Sequence, residues 1–565
     1  MKFSIPILLL MLVTMASCKK QLTEYNPSGA TVESLLTTPD GFEAAVNATY
    51  TYNRSLYGRE EGYALLEMGT DIWTNAANNG GTGTNGIFPQ PPLTTYQSLI
   101  ADNPWINVRL WQQCYAGINL CNTALKYIDQ AGLSAARIPV LEGELRFMRA
   151  WYYWHLVESF GDVHFTLEPT ETIVTTANRT PVATIYNQIF LDMNFAAANL
   201  PVTTVDYGRV TKSIAEAFLA RLHLYRGNNQ DASNYANNVI KNYGLKLLTN
   251  YADLWNITNQ RNTEVLWAVN YSTNLAVNGG TSNQGHSMFL MEYNTLPGMT
   301  RDVANGLANV RYMPTRFLLN LFNESDDARY NGSFKLAWIA NNAATIPKWT
   351  AAEAAQNAAL TPLVGQAKFA VGDTAIFITK QNIDDFQQNY TTRYRYKTYD
   401  INDVYNSNGT PKDRFHYISL KKFDDPTRAS ATETQSSRDA YLIRLAEMYL
   451  VAAEAQFKLN KLDSAAYFVN EVRKRAALPG RQAAIQITPA MVTLDFLLDE
   501  RAREFAGEQY RWFDLRRTGK LVERVKLDNP DAAAYIQDFH ALRPIAQAQI
   551  DAVTNKSEFK QNPGY

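Results

Sequence analysis

Two stretches of the chain, separated by some two hundred residues, are written to the same plan. Residues 211–226 and 231–242 carry helical periodicity on either side of Gly227-Asn228-Asn229. They place Ala217, Ala220, Ala232 and Ala236 where the two helices would touch. Residues 444–459 and 463–475 repeat the arrangement around Asn460, with Ala452, Ala453, Ala455, Ala465 and Ala466 at the contact. Small side chains let helix backbones approach closely, and a repeated helix–turn–helix of this kind is the signature of tetratricopeptide-like units. One such unit cannot bury its apolar face alone, so the pattern calls for a scaffold of stacked helices.

Other segments extend the same theme. Residues 38–57 follow the helix-start signal Thr38-Pro39-Asp40-Gly41, and residues 105–129 and 135–160 form two long patterns turning near Gly132, an antiparallel pair. Residues 489–517 make a final long helix or helix pair that turns Leu494, Leu497, Leu498, Phe505 and Phe513 inward. Residues 245–435 differ in kind: Asn, Thr, Gly, Tyr and Asp dominate, with short β-like pieces at 264–271 and 375–379. The expected class is mainly α, a tetratricopeptide-like helical scaffold with an irregular, loop-rich subdomain containing short strands. Its divisions are a leader at 1–17, a helical region at 18–244 with a polar, ligand-side loop, the loop-rich binding subdomain at 245–435, and a helical region at 436–565 packing on the same scaffold.

The leader combines Lys2, an apolar stretch at 5–13 and the small residues Ala16 and Ser17, which is an export signal too short to span a bilayer. Met15-Ala16-Ser17-Cys18 resembles a bacterial lipobox, which would make Cys18 the lipidated first residue of the mature chain. A tether at 19–27 follows. The formal charge of −1, or −2 once Lys2 is lost, offers no bulk attraction to nucleic acid. Cys114 and Cys121 lie seven residues apart on one helical pattern, about 10 Å along its axis and beyond disulfide reach. They read as buried free thiols.

Few patterns suggest chemistry. The six histidines are scattered, with no HExxH pair, and there is no GxSxG elbow or phosphate-cradling lysine motif. Gly81-Thr82-Gly83-Thr84-Asn85-Gly86 matches a dinucleotide string, but Pro89, Pro91 and Pro92 follow, so a turn-rich loop is expected. Glu500 and Glu504 stand one helical turn apart among Arg501 and Arg503, a pattern suited to ion-paired helix packing rather than acid–base work. Glu447 and Glu454 are expected to meet arginines such as Arg444 or Arg473. No catalytic residue or cofactor is expected and no metal-ligand set stands out, with calcium on loop carboxylates left open.

The aromatic residues point elsewhere. With 32 Tyr and 10 Trp, the chain has rings to spare for a ligand face. Trp111, Trp151, Trp154, Trp255 and Trp512 fall on helical patterns and are assigned to the core. Sugar binding needs a flat ring against the apolar face of a pyranose, with amides or carboxylates to bond its hydroxyls. Asp71, Trp73, Asn75 and Asn79, opening the polar loop at 75–92, supply that combination, and Tyr96, Tyr293, Asn294, Trp338 and Trp349 could extend it.

A wider pattern is carried by Leu442-Ile443-Arg444-Leu445-Ala446-Glu447-Met448-Tyr449-Leu450, Ala453-Glu454-Ala455 and Asn470-Glu471-Val472-Arg473-Lys474-Arg475-Ala476. Glu500-Arg501-Ala502-Arg503-Glu504-Phe505, Gly507-Glu508, Arg511-Trp512-Phe513-Asp514-Leu515-Arg516-Arg517 and the ending Asn562-Pro563-Gly564-Tyr565 continue it. Nearer the start, Arg146-Phe147-Met148-Arg149-Ala150-Trp151-Tyr152-Tyr153 and Phe160-Gly161-Asp162-Val163 belong to the same pattern. Together they resemble the SusD/RagB lipoproteins over nearly the whole mature chain. The resemblance implies a cell-surface, outer-membrane binding lipoprotein that captures oligosaccharide or peptide and delivers it to a SusC-like TonB-dependent transporter without chemical change. In that resemblance Asp71 and Trp73 fall on the ligand side. The chain departs from it in following Cys18 with Lys19-Lys20-Gln21 where surface-exported members often carry acidic residues. Other readings are a peptide binder of the same fold, an envelope scaffold using its helical grooves, and a glycosidase, which would need a loop-placed carboxylate pair.

Overall fold

The computed structural model, which describes residues 31–78, 90–278, 283–383 and 394–565, sets its long helices side by side in a continuous row. The leader, Cys18, the tether, Asn79 and the glycine string at 81–86 lie outside the described residues. After α1 (Pro39–Thr51), capped by Thr38 with Pro39 at its first turn, the row runs α2 (Gln112–Tyr127), α3 (Ile138–Phe160), α4 (Val182–Asn199), α5 (Lys212–Tyr225), α6 (Asn229–Asn242), α7 (Leu445–Lys458) and α8 (Leu462–Ala476). Each member of the row packs on the next, and α9 (Leu494–Phe505), α10 (Arg511–Arg517) and α11 (Leu521–Asp528) close its end. The chain is a mainly α, tetratricopeptide-like array.

The two similar helix pairs are neighbours in space. α5 and α7 both end with a residue in the left-handed region at the same place, Gly227 (φ 77°) in the first pair and Asn460 (φ 58°) in the second. Glycine and asparagine are the residues that adopt this helix-ending turn at least cost. The small residues at 217, 220, 232, 236, 452, 453, 455, 465 and 466 are all buried, and Gln456 of α7 donates to the Ser233 hydroxyl of α6 at 2.7 Å across the joint. α4 is a helix that the sequence patterns above leave out. Its start at Pro181 has no side-chain cap, although Ile185, Tyr186, Ile189, Met193 and Ala196 form a buried stripe.

Between α6 and α7 the chain makes its long excursion, and its strands are short. β1 (Trp73–Asn75) pairs antiparallel with β3 (Tyr312–Pro314), while β4 (Ala337–Ile339), β5 (Thr374–Ile378) and β6 (Lys397–Tyr399) form a mixed three-stranded sheet. The excursion closes where β2 (Val265–Val269), near its start, pairs with β7 (Ala440–Arg444), which leads directly into α7. Cys114 and Cys121 are buried free thiols, and burial pushes Cys121 up to about 12. Trp111, Trp151, Trp154, Trp255 and Trp512 are buried as assigned.

Charge is concentrated inside this closure. Arg444, at the last position of β7, donates to Glu264 (2.7 Å), Glu504 (3.1 Å) and Glu508 (2.7 and 3.0 Å), and all four side chains are buried. Arg329 reaches Asp327, Glu500 and Glu504, Arg475 reaches Glu264 and Glu504, and Lys422 reaches Glu508 at 2.9 Å. Glu500 and Glu504 are thus ion-paired between elements. Glu447 and Glu454 are paired too, with partners other than those expected: Arg221 holds Glu447, and Arg517 with Lys458 holds Glu454. Burial would raise the Glu504 carboxyl, but Arg475, Arg444 and Arg329 outweigh it and hold Glu504 at about 2.

Removing one member of such a buried cluster strands the rest without counter-charge, at a cost of about 3–5 kcal/mol. Arg444→Met is therefore expected to lower the urea-unfolding free energy by about that amount. A loss below about 1 kcal/mol would show that the cluster is not a structural anchor. Carboxyls depressed in the folded state stabilise it above their unfolded value and lose that effect as pH falls. The urea midpoint of the wild type is expected to fall from pH 4.5, the ordinary glutamate value, towards 2, and less steeply in Glu504→Gln.

Candidate functional site

The residues expected to form a ligand platform sit beneath the surface. Asp71 is fully buried and accepts from Arg511 Nε at 2.8 Å and Arg524 Nε at 2.7 Å. Burial opposes its charge, yet the two guanidiniums hold its carboxyl below the usual range. Trp73 is also fully buried, its indole N–H donating to Glu67 at 3.0 Å and its ring 4.8 Å from that of Phe289. Glu67 further accepts from the backbone N–H groups of Gly507, Tyr510 and Arg511, so β1 is bolted to the start of α10. Asn75 is buried, accepting from Gln90 at 2.6 Å on its side chain and from Arg414 at 2.6 Å on its carbonyl.

The remaining expected residues behave similarly. Tyr96 is buried and donates to the Gly69 carbonyl at 2.7 Å. Tyr293 and Trp338 are fully buried and stack on one another at 4.4 Å, with Lys335 over the indole and the Tyr293 hydroxyl on the Gly306 carbonyl. Trp349 is buried. Asn294 is half-buried, and its side-chain oxygen has no protein partner. The correction is that Asp71, Trp73, Asn75, Tyr96, Tyr293 and Trp338 form supports and present no ring or polar face to a ligand. Packing won because the Asp71 carboxylate, the Trp73 N–H and the Tyr96 and Tyr293 hydroxyls found partners inside the protein, whereas the Trp338 N–H has none.

What these supports hold up is an exposed face. Ala77 N–H donates to the Arg414 carbonyl at 3.0 Å, Asn78 N–H to Val310 at 2.9 Å, and Glu292 N–H to Phe415 at 2.9 Å. These bonds bring the end of β1, the start of the 292–298 segment and the turn at 413–416 together. In that turn Asp413 accepts from the N–H groups of Phe415 (2.8 Å) and His416 (3.1 Å) and from the His416 ring (2.7 Å). Burial raises the Asp413 carboxyl, but the bonds from His416 and Phe415 outweigh it and keep Asp413 below its usual range. The turn is thereby fixed, with the Phe415 ring 45% exposed. Arg414 is held by Asp531 at 2.8 Å, and Asn78 and Asn309 lie alongside.

A separate cleft opens along the approach to β6. His416 stacks on Tyr399 of β6 at 4.9 Å, and residues 394–398 and Pro297 line an open cleft of about 450 Å³ with Phe369 and Lys368. Tyr394 at its lip is also 45% exposed. Phe415, Tyr394 and Tyr396 thus supply rings, and Asn78, Glu292, Asp413 and Arg395 supply donors and acceptors, on loops carried by a rigid scaffold. Among the described residues no cluster of His, Cys, Asp and Glu has the arrangement of a metal site. The signal for Phe415 in the sequence is short: an aspartate two residues before an aromatic ring, in a polar, irregular segment.

These features define a helical-repeat protein with an inserted, loop-rich subdomain. The chain belongs to the SusD family, whose profile matches residues 263–565, and a second profile, described as starch-binding associating with outer membrane, matches residues 93–224. It is 25% identical over 568 residues to a SusD-like protein of Formosa agariphila, covering 97% of each chain. It is 24% identical over 495 residues to the starch-binding protein SusD of Bacteroides thetaiotaomicron, covering 85% of this chain and 82% of that one. Among solved structures it is similar to a laminarin-binding SusD-like protein (TM-score 0.63, 22% identity, 94% and 100% covered). It is likewise similar to surface glycan-binding protein A from Bacteroides thetaiotaomicron (TM-score 0.63, 20% identity, 94% and 100% covered).

Supports and face are separable by mutation. Trp73→Ala is expected to cost about 3–5 kcal/mol of folding free energy in urea titrations, as for other buried tryptophans. Phe415→Ala should stay within about 0.5 kcal/mol of wild type. Equal costs for the two would show that Phe415 is a packing residue.

Proposed function

We propose that this protein is a surface-exposed lipoprotein of the outer membrane, anchored through Cys18, that binds an oligosaccharide and delivers it to a SusC-like TonB-dependent transporter. The observation that carries the reading is the exposed Phe415 ring, fixed by the Asp413 turn and joined through its backbone carbonyl to Glu292. A phenyl face covers the apolar C–H surface of a pyranose, while Asn78 and Glu292, held to the same turn, can bond its hydroxyls. Glu500 and Glu504 are neutralised by arginines within the scaffold, and the proposed role is capture and release rather than catalysis. Membership of a family that includes a starch-binding protein, and likeness to structures named for laminarin and surface glycans, support the glycan class.

The test is binding of the soluble chain, residues 19–565, to arrays of glycans and of peptides. A glycan signal that weakens about tenfold or more in Phe415→Ala, equal to at least about 1.4 kcal/mol, is the expected result. Binding to peptides alone would replace the ligand class, and a glycan signal indifferent to Phe415 would move the site. For the anchor, Cys18→Ala is expected to shift the protein from membrane to soluble fractions. An unaltered distribution would remove Cys18 as the point of attachment.

A further inference from the structure

Three cations, Lys368, Arg395 and Lys397, line the cleft along the approach to β6, against one carboxylate, Asp403. Two of the three are already neutralised. Lys368 pairs with Glu353 and donates to the Tyr394 carbonyl at 3.1 Å, and Arg395 pairs with Asp373 at 3.1 Å while its Nε donates to the Lys368 carbonyl at 3.0 Å. These bonds pin residues 394–395 to Lys368, so this wall of the cleft is preformed. Asp403 is occupied locally, its carboxylate accepting from Asp400 N–H at 3.0 Å. Lys397 differs from the other two cations. It is exposed and has no ion pair among the described residues, and its ammonium stands over the Tyr399 ring at 4.5 Å.

The next residue is also incompletely satisfied. Thr398 is 5% exposed and lines the cleft, yet its hydroxyl has no protein partner. A buried hydroxyl without a hydrogen bond is costly, and a ligand oxygen in the cleft would relieve that cost. Pro297, Pro347 and Phe369 supply apolar walls. Beside such walls an ammonium attracts an opposite charge more strongly than in open water, and its bonds to a charged oxygen are roughly twice as strong as those to a neutral one. A neutral sugar would leave Lys397 with the Tyr399 ring alone. The other side of the contact is fixed as well: His416 stacks on the same Tyr399 ring at 4.9 Å, so one ring separates Lys397 from the residue that follows Phe415.

We infer that the glycan is anionic: a carboxylate or sulfate ester on the sugar chain seats on Lys397 and takes a hydrogen bond from the Thr398 hydroxyl, while Phe415 carries a neighbouring sugar. This rests on the proposed glycan-binding role and adds the class of glycan. The formal charge of −1 gives the chain no bulk attraction for a polyanion, so the preference is local to the cleft.

The experiment is calorimetric binding of the soluble chain, residues 19–565, to acidic oligosaccharides, each beside its uncharged counterpart. The probes are oligogalacturonate and alginate oligosaccharides with their methyl esters, and a sulfated galactan with its desulfated form, together with the neutral glycans of the array. The expected result is an acidic probe that binds about tenfold or more tighter than its uncharged counterpart, and the pair that discriminates names the anion. Lys397→Gln should lose that preference and Lys397→Arg should keep it, both with the thermal midpoint of wild type. Thr398→Val should weaken the acidic probe about threefold or more, and binding as in wild type would remove the hydroxyl from the site. Equal affinity within every pair, or a preference that survives Lys397→Gln, overturns the inference. If neutral glycans then bind through Phe415, the glycan-binding role stands without it. No signal from any glycan, acidic or neutral, overturns both.

Discussion

The structure depends on one closure. The helical row is interrupted by an excursion of some two hundred residues, and α6 must still find α7. A loop of that length costs only slightly more entropy than one half as long, because closure entropy grows with the logarithm of length. What the closure requires is a fixed return point. Pairing of β2 with β7 supplies it, and Glu264 and Arg444, adjacent to or at the ladder's end, lock it by a buried ion pair of 2.7 Å. Arg444 also reaches Glu504 and Glu508, so the same guanidinium joins the excursion, the row and the closing helices. Arginine suits the task because its planar fork offers five donors to several carboxylates at once.

Burying this much charge sets a second property. Each carboxylate in the cluster is matched, and Glu500 and Glu504 each take three arginines. A fully paired polar interior specifies one geometry, since any shift strands a charge. Under the exposed face Asp71 is charge-matched in the same way by Arg511 and Arg524, whereas Glu67 gathers four neutral donors and burial pushes its carboxyl up to about 7. Rigid supports below and short, hydrogen-bonded turns above give the Phe415 face a fixed shape. A preformed face loses little entropy on taking up a ligand.

The scaffold was legible because its signals are local. Alanines at helical spacing and a turn residue between two periodic segments declare a helix pair within about thirty residues. α4 escaped because its first turn has no capping side chain, although its apolar stripe was present. The site was harder. Trp73 in a polar context reads as a ligand ring, and nothing nearby reveals that Glu67, itself fixed by Gly507 and Arg511, would take its indole N–H. Asp71 and Arg511 are 440 residues apart, and no periodicity connects them. Phe415 carried the converse ambiguity, since an aromatic among polar residues is as often packed as exposed. Its exposure follows from the Asp413 turn and from β1, which lie on distant parts of the chain.

We propose that ligand is held by the loop-rich excursion and not by the grooves of the helical row. Hydrogen exchange of the soluble chain, with and without saturating oligosaccharide, tests it most directly. Slowed exchange confined to the backbone around 292–298, 394–399 and 413–416 is the result expected. Protection along α4 to α6, with those turns unchanged, would contradict it.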